Sequence, residues 1–383
     1  MIKIASFNVE NLFARPKAFR TTDLSVTAPI LEAYREVNEL FKLPQYSVGD
    51  KARMRELLVI LDVYRKDAQG VIRRTESLDP KWAWLRANRG KFDVEPQDTT
   101  RDVEIVANGR GDWIGWLELA KDPTNEIGTR MTARVIQDVN ADILGIVEAE
   151  DRPSLVRFNE ELLGRTYAHA MLVDGNDDRG IDVGIFTRAG FDIDSICSNV
   201  DNEDSVGTIF SRDCPEYEIR TPGGATIHVL VNHFKSQSGG GGQKRKRQAV
   251  EVRRIADKLI QSGKHVVVLG DLNEGPPAGG TQATNLVALY DNNSQLLDCY
   301  SLPNFAVGDR PGSYDSCGLS NRLDYIFISQ SLRQFYVAGG LFRKGLWGSR
   351  KTRPDKWDTY PEMTASIEQA SDHSAVFVEL DIQ

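Results

Sequence analysis

The chain has 383 residues, 40% hydrophobic and 27% charged, with a formal net charge of -8. That apolar share supports a sizeable core, and the acidic balance excludes a protein that coats nucleic acid by bulk charge alone, leaving only local basic patches open. No apolar run approaches the ~20 residues that would span a membrane, and the length suits one large α/β domain with an insertion or a two-domain chain.

Lys3 to Phe7 reads as a short core strand rather than a charged leader, which gives a cytoplasmic location. Asn8 and Glu10 fall at its end. The pattern then changes over residues 15–125, where segments such as Lys51 to Leu61 fit a helix face better than alternation. This stretch also holds Trp82, Trp84, Trp113 and Trp116, and reads as a largely helical inserted cap or subdomain within one domain of residues 1–383. Beyond it, Met131, Val135, Ile136 and Val139 recur at helical spacing, and Ala141 to Val147 is a buried strand that delivers Glu148 at its end. Ile181 to Phe186, Ala225 to Val231 and His265 to Leu269 are further strands. A helix over Gln248 to Ser262 carries Ile255, Ala256, Leu259 and Ile260 inward and is stopped by Gly263. Asn321 to Ser329 and Ala375 to Leu380 complete the strands. Alternating helices and strands indicate layered α/β packing. Cys197, Cys214, Cys299 and Cys317 lack metal-type spacing and are too few for a disulfide scaffold, so they read as free thiols.

Short polar motifs stand at the ends of these strands: Ser6-Phe-Asn8-Val-Glu10, Val147-Glu148, Val231-Asn-His233-Phe-Lys235, Gly270-Asp271-Leu-Asn273, Asn321-Arg-Leu-Asp324-Tyr and Ser371-Asp372-His373. Taken singly, each is also a turn former or a solvated pair. Polar groups placed where apolar strands leave a core are held rigidly and reached by solvent, as catalysis requires. In this order they resemble the endonuclease/exonuclease/phosphatase superfamily, the deoxyribonuclease-I-like metal-dependent phosphodiesterases, over residues 1–14 and 129–383.

The resemblance implies a four-layer α-β-β-α sandwich of two mostly antiparallel sheets flanked by helices. It also implies a Mg2+ or Mn2+ cofactor held by Glu148, with Glu10, Asn8 and Asp372 nearby. Such hard cations take oxygen ligands and usually only one or two protein carboxylates. Asp271 would orient or deprotonate the attacking water, and Asn273 would donate to a phosphate oxygen. His233 and His373 would exchange protons or stabilise negative charge, with Asp324 the partner of His373 and Asp182 that of His233. Asn8 would help organise phosphate as well as metal. Arg212 resembles a strand-borne arginine whose planar fork contacts phosphate, and Lys235 adds charge or is simply solvated. His169, His228 and His265 match no catalytic position and read as structural.

The run Gly239 to Arg247 ends in Lys244, Arg245, Lys246 and Arg247 at a helix entrance. Cations there oppose the helix dipole, a local cost that points to a phosphate-backbone contact, although such runs also serve as solvated faces. The expected activity is therefore phosphodiester hydrolysis by direct water attack, on DNA first and RNA second. The alternatives are phospholipid head groups, inositol phosphates or small nucleotides as substrate, or a catalytically dead binding module.

Overall fold

Strand β1 (Ile2–Asn8) shows how the core is divided. Ile2 and Ile4 join a cluster between two sheets, whereas Ala5 and Phe7 join a second cluster under a helix, as the period of two demands. The computed structural model describes residues 1–382 apart from 11, 13, 20–23, 76–79, 124–125, 178–179, 238–240, 292 and 349–356. The chain forms two compact units, one of Met1–Phe13 with Thr124–Gln383 and one of Ala14–Pro123.

In the larger unit β1 is followed by α1 (Glu126–Val139), β2 (Ile143–Ala149), α2 (Arg152–Glu161), β3 (His169–Val173), β4 (Asp182–Thr187), β5 (Asp192–Cys197), β6 (Glu216–Arg220) and β7 (Thr226–His233). Then come α3 (Gly242–Gln261), β8 (His265–Asp271), β9 (Leu296–Asp298), β10 (Phe305–Ala306), β11 (Asp324–Ser329), β12 (Tyr336–Phe342) and β13 (Ala375–Leu380). One sheet has the order β3-β4-β2-β1-β13-β12-β10 and the other β5-β6-β7-β8-β11-β9. Their facing sides share a core that includes Ile4, Ile143, Val147 and Ile185 from the first and Val229, Val267, Leu269 and Ile326 from the second. On the outside, α1 covers Phe7, Leu144 and Ile146 through Val135, Ile136 and Val139, while α3 covers Leu230, Val266 and Phe327 through Val252, Ile255 and Ala256. The result is the expected four-layer α/β sandwich, mostly antiparallel in its pairing.

Two parallel pairs position the site. β1 runs parallel to β2 with Asn8 opposite Val147, and β7 runs parallel to β8 with His233 opposite Asp271. Parallel neighbours end on the same side of their sheet, so Asn8 emerges beside Val147-Glu148 and His233 beside Asp271. β11 begins there too, because antiparallel pairing sets Asp324 opposite Asp271. At that edge Gly270 has φ +133, and a Cβ there would lie 1.9 Å from the Asn232 carbonyl oxygen. Gly270→Ala should therefore cost about 3 kcal/mol or more, read as a lower denaturant midpoint; an unchanged midpoint would contradict this backbone.

The helix expected from Gln248 begins earlier, at Gly242, because Arg245 and Gln248 are themselves buried and belong to its inner face. In the smaller unit, the segment read as helical lies in the helix Val48–Ile60, which follows another at Leu24–Phe41. Short ladders accompany them, including Ala83–Arg89 with Ile114–Leu119. This unit has its own core, in which Phe41, Phe92 and Trp113 rings meet and Trp113 Nε1 donates to Tyr46 Oη at 2.9 Å. All four cysteines are free thiols. Among the described residues no helix is long and apolar enough to cross a membrane.

Candidate active site

Asp271 occupies the centre of the strand-end cluster. Its Oδ2 accepts from Asn8 Nδ2 at 3.2 Å and from Asn273 Nδ2 at 3.1 Å, and its Oδ1 accepts from Asn273 N at 2.8 Å. His233 Nε2 lies 3.7 Å and His373 Nε2 3.9 Å from Oδ2. Burial pushes the Asp271 carboxyl up to about 7; cationic His373 opposes this, while Asp324 and Glu148 reinforce it.

His373 completes a relay. Its Nδ1 meets Asp324 Oδ2 at 2.7 Å, and Ser313 Oγ donates to the same oxygen at 2.6 Å while accepting from the Asp324 backbone N–H at 3.0 Å. Burial alone would pull the imidazole pKa down. The carboxylates of Asp324 and Asp271, the hydrogen bond and Asp372 together hold it well above the ordinary histidine value. The result is a ring fixed in orientation at the strand ends, with its charged form favoured.

Glu148 reaches this edge through a β-bulge. The β2–β4 register shifts between Val147 and Ala149, and Glu148 adopts φ +66. Ala149 joins the cluster beneath α1, so the bulge spares Glu148 the helix-covered position that plain alternation would assign it. Its Oε1 lies 3.6 Å from His233 Nε2. Glu10, at φ +50, donates its N–H to Asn8 Oδ1 at 3.0 Å, and its Oε2 accepts from Asp372 N at 3.0 Å. Ser371 Oγ donates to the Asn8 carbonyl at 2.7 Å and accepts from His373 N at 2.9 Å, stitching β1 to the segment before β13.

The structure thus brings Asn8, Glu10, Glu148, His233, Asp271, Asn273, Asp324, Asp372 and His373 to one edge. Several expected site residues have further partners in their surroundings. Asn273 Nδ2 donates to Phe234 O at 3.1 Å as well as to Asp271 at 3.1 Å, so both of its amide hydrogens have partners. Asp182 accepts from Gly175 N at 2.8 Å and its carboxyl is pushed up to about 8, first by burial and then by Asp174. Glu148 Oε1 and Asp271 Oδ2 stand 3.6 Å and 3.7 Å from His233 Nε2. Arg212 is 2% exposed and its Nε pairs with Asp177 Oδ2 at 2.8 Å.

The basic run is committed internally as well. Arg247 Nε donates to Asp204 Oδ2 at 2.6 Å, Lys244 Nζ donates to the Thr208 carbonyl, and Arg245 is buried against Glu274. Burial and Arg247 pull the Lys244 pKa down. Lys246 is exposed and Lys235 half-buried; Gly239 and Gly240 of the same run lie outside the described residues. Ser313 and Ser371 went unread in the sequence as site residues. Serine next to turn residues is common on any surface, and only the fold brings them to Asp324 and Asn8.

This two-sheet sandwich with an acid, base and amide cluster at its edge defines a class of phosphoester hydrolases. The pattern of the Endonuclease/Exonuclease/phosphatase family matches residues 88–381, and the chain belongs to that family. Asn8 and Glu10 precede the matched range. A comparison with curated proteins returns no match. Solved structures of similar fold include a mannosyl-6-phosphatase from Bacteroides thetaiotaomicron, at 18% identity over 66% of this chain and 91% of that one, TM-score 0.47. Truncated TDP2 from Caenorhabditis elegans is similar at 18% identity over 66% and 90%, TM-score 0.45. The human Nocturnin catalytic domain with bound sulfate is similar at 15% identity over 66% and 86%, TM-score 0.47.

Proposed function

We propose that the protein is a divalent-metal-dependent phosphodiesterase that hydrolyses by direct attack of water. The observation that carries this reading is the buried carboxyl of Asp271 surrounded by two histidines, two asparagines and Glu148. A carboxyl raised toward neutrality and held by three N–H donors is suited to take a proton from water. His373, kept cationic by Asp324, would stabilise charge on the phosphoryl oxygens, and His233 would share protons with Glu148 and Asp271.

The family implies a metal, and the donor chemistry fits one. Glu148, Glu10, Asn8 and Asp372 offer oxygen atoms alone, the set that Mg2+ and Mn2+ prefer. Glu148 and Glu10 would hold the ion, which when bound neutralises phosphate charge. Asp271, Asp324 and His373 also lie close enough together to hold an ion. The 2.7 Å contact of His373 Nδ1 with Asp324 Oδ2 and the raised imidazole pKa favour an acid–base role instead.

Nucleic acid, DNA first, is the substrate expected from the resemblance. A second reading, a small phosphodiester or phosphomonoester, is favoured by the internal pairing of Arg245 and Arg247, which removes charge from the run expected to grip a phosphate backbone. Residues 15–125 enter this proposal as an inserted subdomain within a single catalytic domain. Four free thiols suit a reducing, cytoplasmic setting.

Incubation with bis(4-nitrophenyl) phosphate, 4-nitrophenyl phosphate, plasmid DNA, RNA and phospholipid, with Mg2+, Mn2+ or EDTA, tests both levels. Turnover of the diester should fall to background in EDTA and return with added Mg2+. Chelator-resistant turnover would remove the metal from the proposal, and no turnover of any phosphate ester would sink the activity itself.

A further inference from the structure

We propose that Arg245 is a positioning residue for this site, tying the loops that carry His233 and Asp271 to helix α3; the inference rests on the phosphoesterase reading above. Arg245 Nε donates to Glu274 Oε2 at 2.7 Å, and Nη1 donates to the carbonyl oxygens of Lys235 at 3.0 Å and Ser236 at 3.1 Å. The two carbonyls follow His233 on the chain, and Glu274 follows Asn273. One guanidinium therefore spans both strand-end loops.

The rest of the surroundings act in the same direction. Glu274 Oε1 accepts from Asn285 N at 2.8 Å, and the Glu274 carbonyl accepts from Tyr325 Oη at 2.8 Å. One turn further along α3, Gln248 Oε1 accepts from Lys235 N at 2.9 Å. The loops are also joined directly, since Phe234 N donates to the Asp271 carbonyl at 2.9 Å. At Gly241 a Cβ would stand 2.5 Å from the Ser236 carbonyl oxygen, so the start of α3 is pressed onto the loop after His233.

The Arg245 and Glu274 side chains are 8% and 12% exposed. Removing either partner would leave the other charge buried without its match. Lysine keeps the charge but not the planar fork that reaches a carboxylate and two carbonyls together. Catalytic groups tolerate little displacement, and a shift of about 1 Å in such a site can cost roughly 100-fold in rate.

The test compares Arg245→Met, Arg245→Lys and Glu274→Gln with wild type and with Arg254→Met, on the outer side of the same helix. Steady-state kinetics with bis(4-nitrophenyl) phosphate and Mg2+ should show kcat lowered about 10- to 100-fold in Arg245→Met, with KM within about twofold and partial recovery in Arg245→Lys. Imidazole 15N spectra should show the His233 signal moved in the Arg245 variants and unmoved in Arg254→Met. If Arg245→Met does not fold, the lysine and Glu274 variants carry the same comparison. Full kcat in the folded variants, or a loss confined to KM as for a substrate contact, would overturn the proposal. Should wild type hydrolyse no phosphate ester, the functional reading fails, while an unmoved His233 signal would separately refute the positioning role.

Discussion

Glu148→Gln should lower phosphodiester turnover by about 10³-fold or more, equivalent to roughly 4 kcal/mol of transition-state stabilisation. The substitution keeps the size and backbone demands of the side chain, and Glu148 carries its φ of +66 on a β-bulge outside the packed cores. The loss should therefore be chemical, with the melting transition close to that of wild type. Activity plotted against Mg2+ concentration separates weak ion binding, which high Mg2+ rescues, from loss of the catalytic arrangement, which it does not. Wild-type rates at every Mg2+ concentration would remove Glu148 from the metal site.

The second large effect is expected at the histidines. His373→Ala and His233→Ala should each reduce kcat about 10²- to 10⁴-fold, the usual contribution of a positioned proton-transfer group, with smaller changes in KM. Asp324→Asn should approach His373→Ala in effect, because the 2.7 Å contact with Nδ1 is what fixes the ring and favours its charge. The double variant should be little worse than either single one, since the pair acts as a unit. Additive losses would show that Asp324 and His373 work separately, and a His373 variant with most of its kcat would reduce the ring to a packing role.

The layered α/β packing is legible in the sequence because the buried strands are short continuous apolar runs and the helices repeat at 3.6, whereas the four-layer sandwich follows from the resemblance carried by the strand-end motifs. The strand-end residues are legible for a related reason: a polar group directly after a buried run cannot continue the core and so marks the sheet edge. Side-chain commitments are not. Arg212 and Arg245 look like free cations in the sequence, yet each is buried against a carboxylate brought from elsewhere by the fold. Asn273 keeps its place at the site but spends its amide hydrogens on Phe234 and Asp271. The bulge at Glu148 has no local signature either, since it is defined by register against β4.

β1 lies between β2 and β13, pairing Ile4 with Ile143 on one side and with Val378 on the other, and Ile2 with Leu380. One of its two neighbours is thus separated from it by most of the sequence between residues 2 and 380. Loop-closure entropy must be met before such distant pairings repay it, which makes this topology slow to fold. Asn8 and His373 sit at the ends of those same pairings, so the proposed catalytic edge is assembled only when this distant pairing forms. The proposed catalytic edge is therefore a product of long-range pairing rather than a property of any one segment.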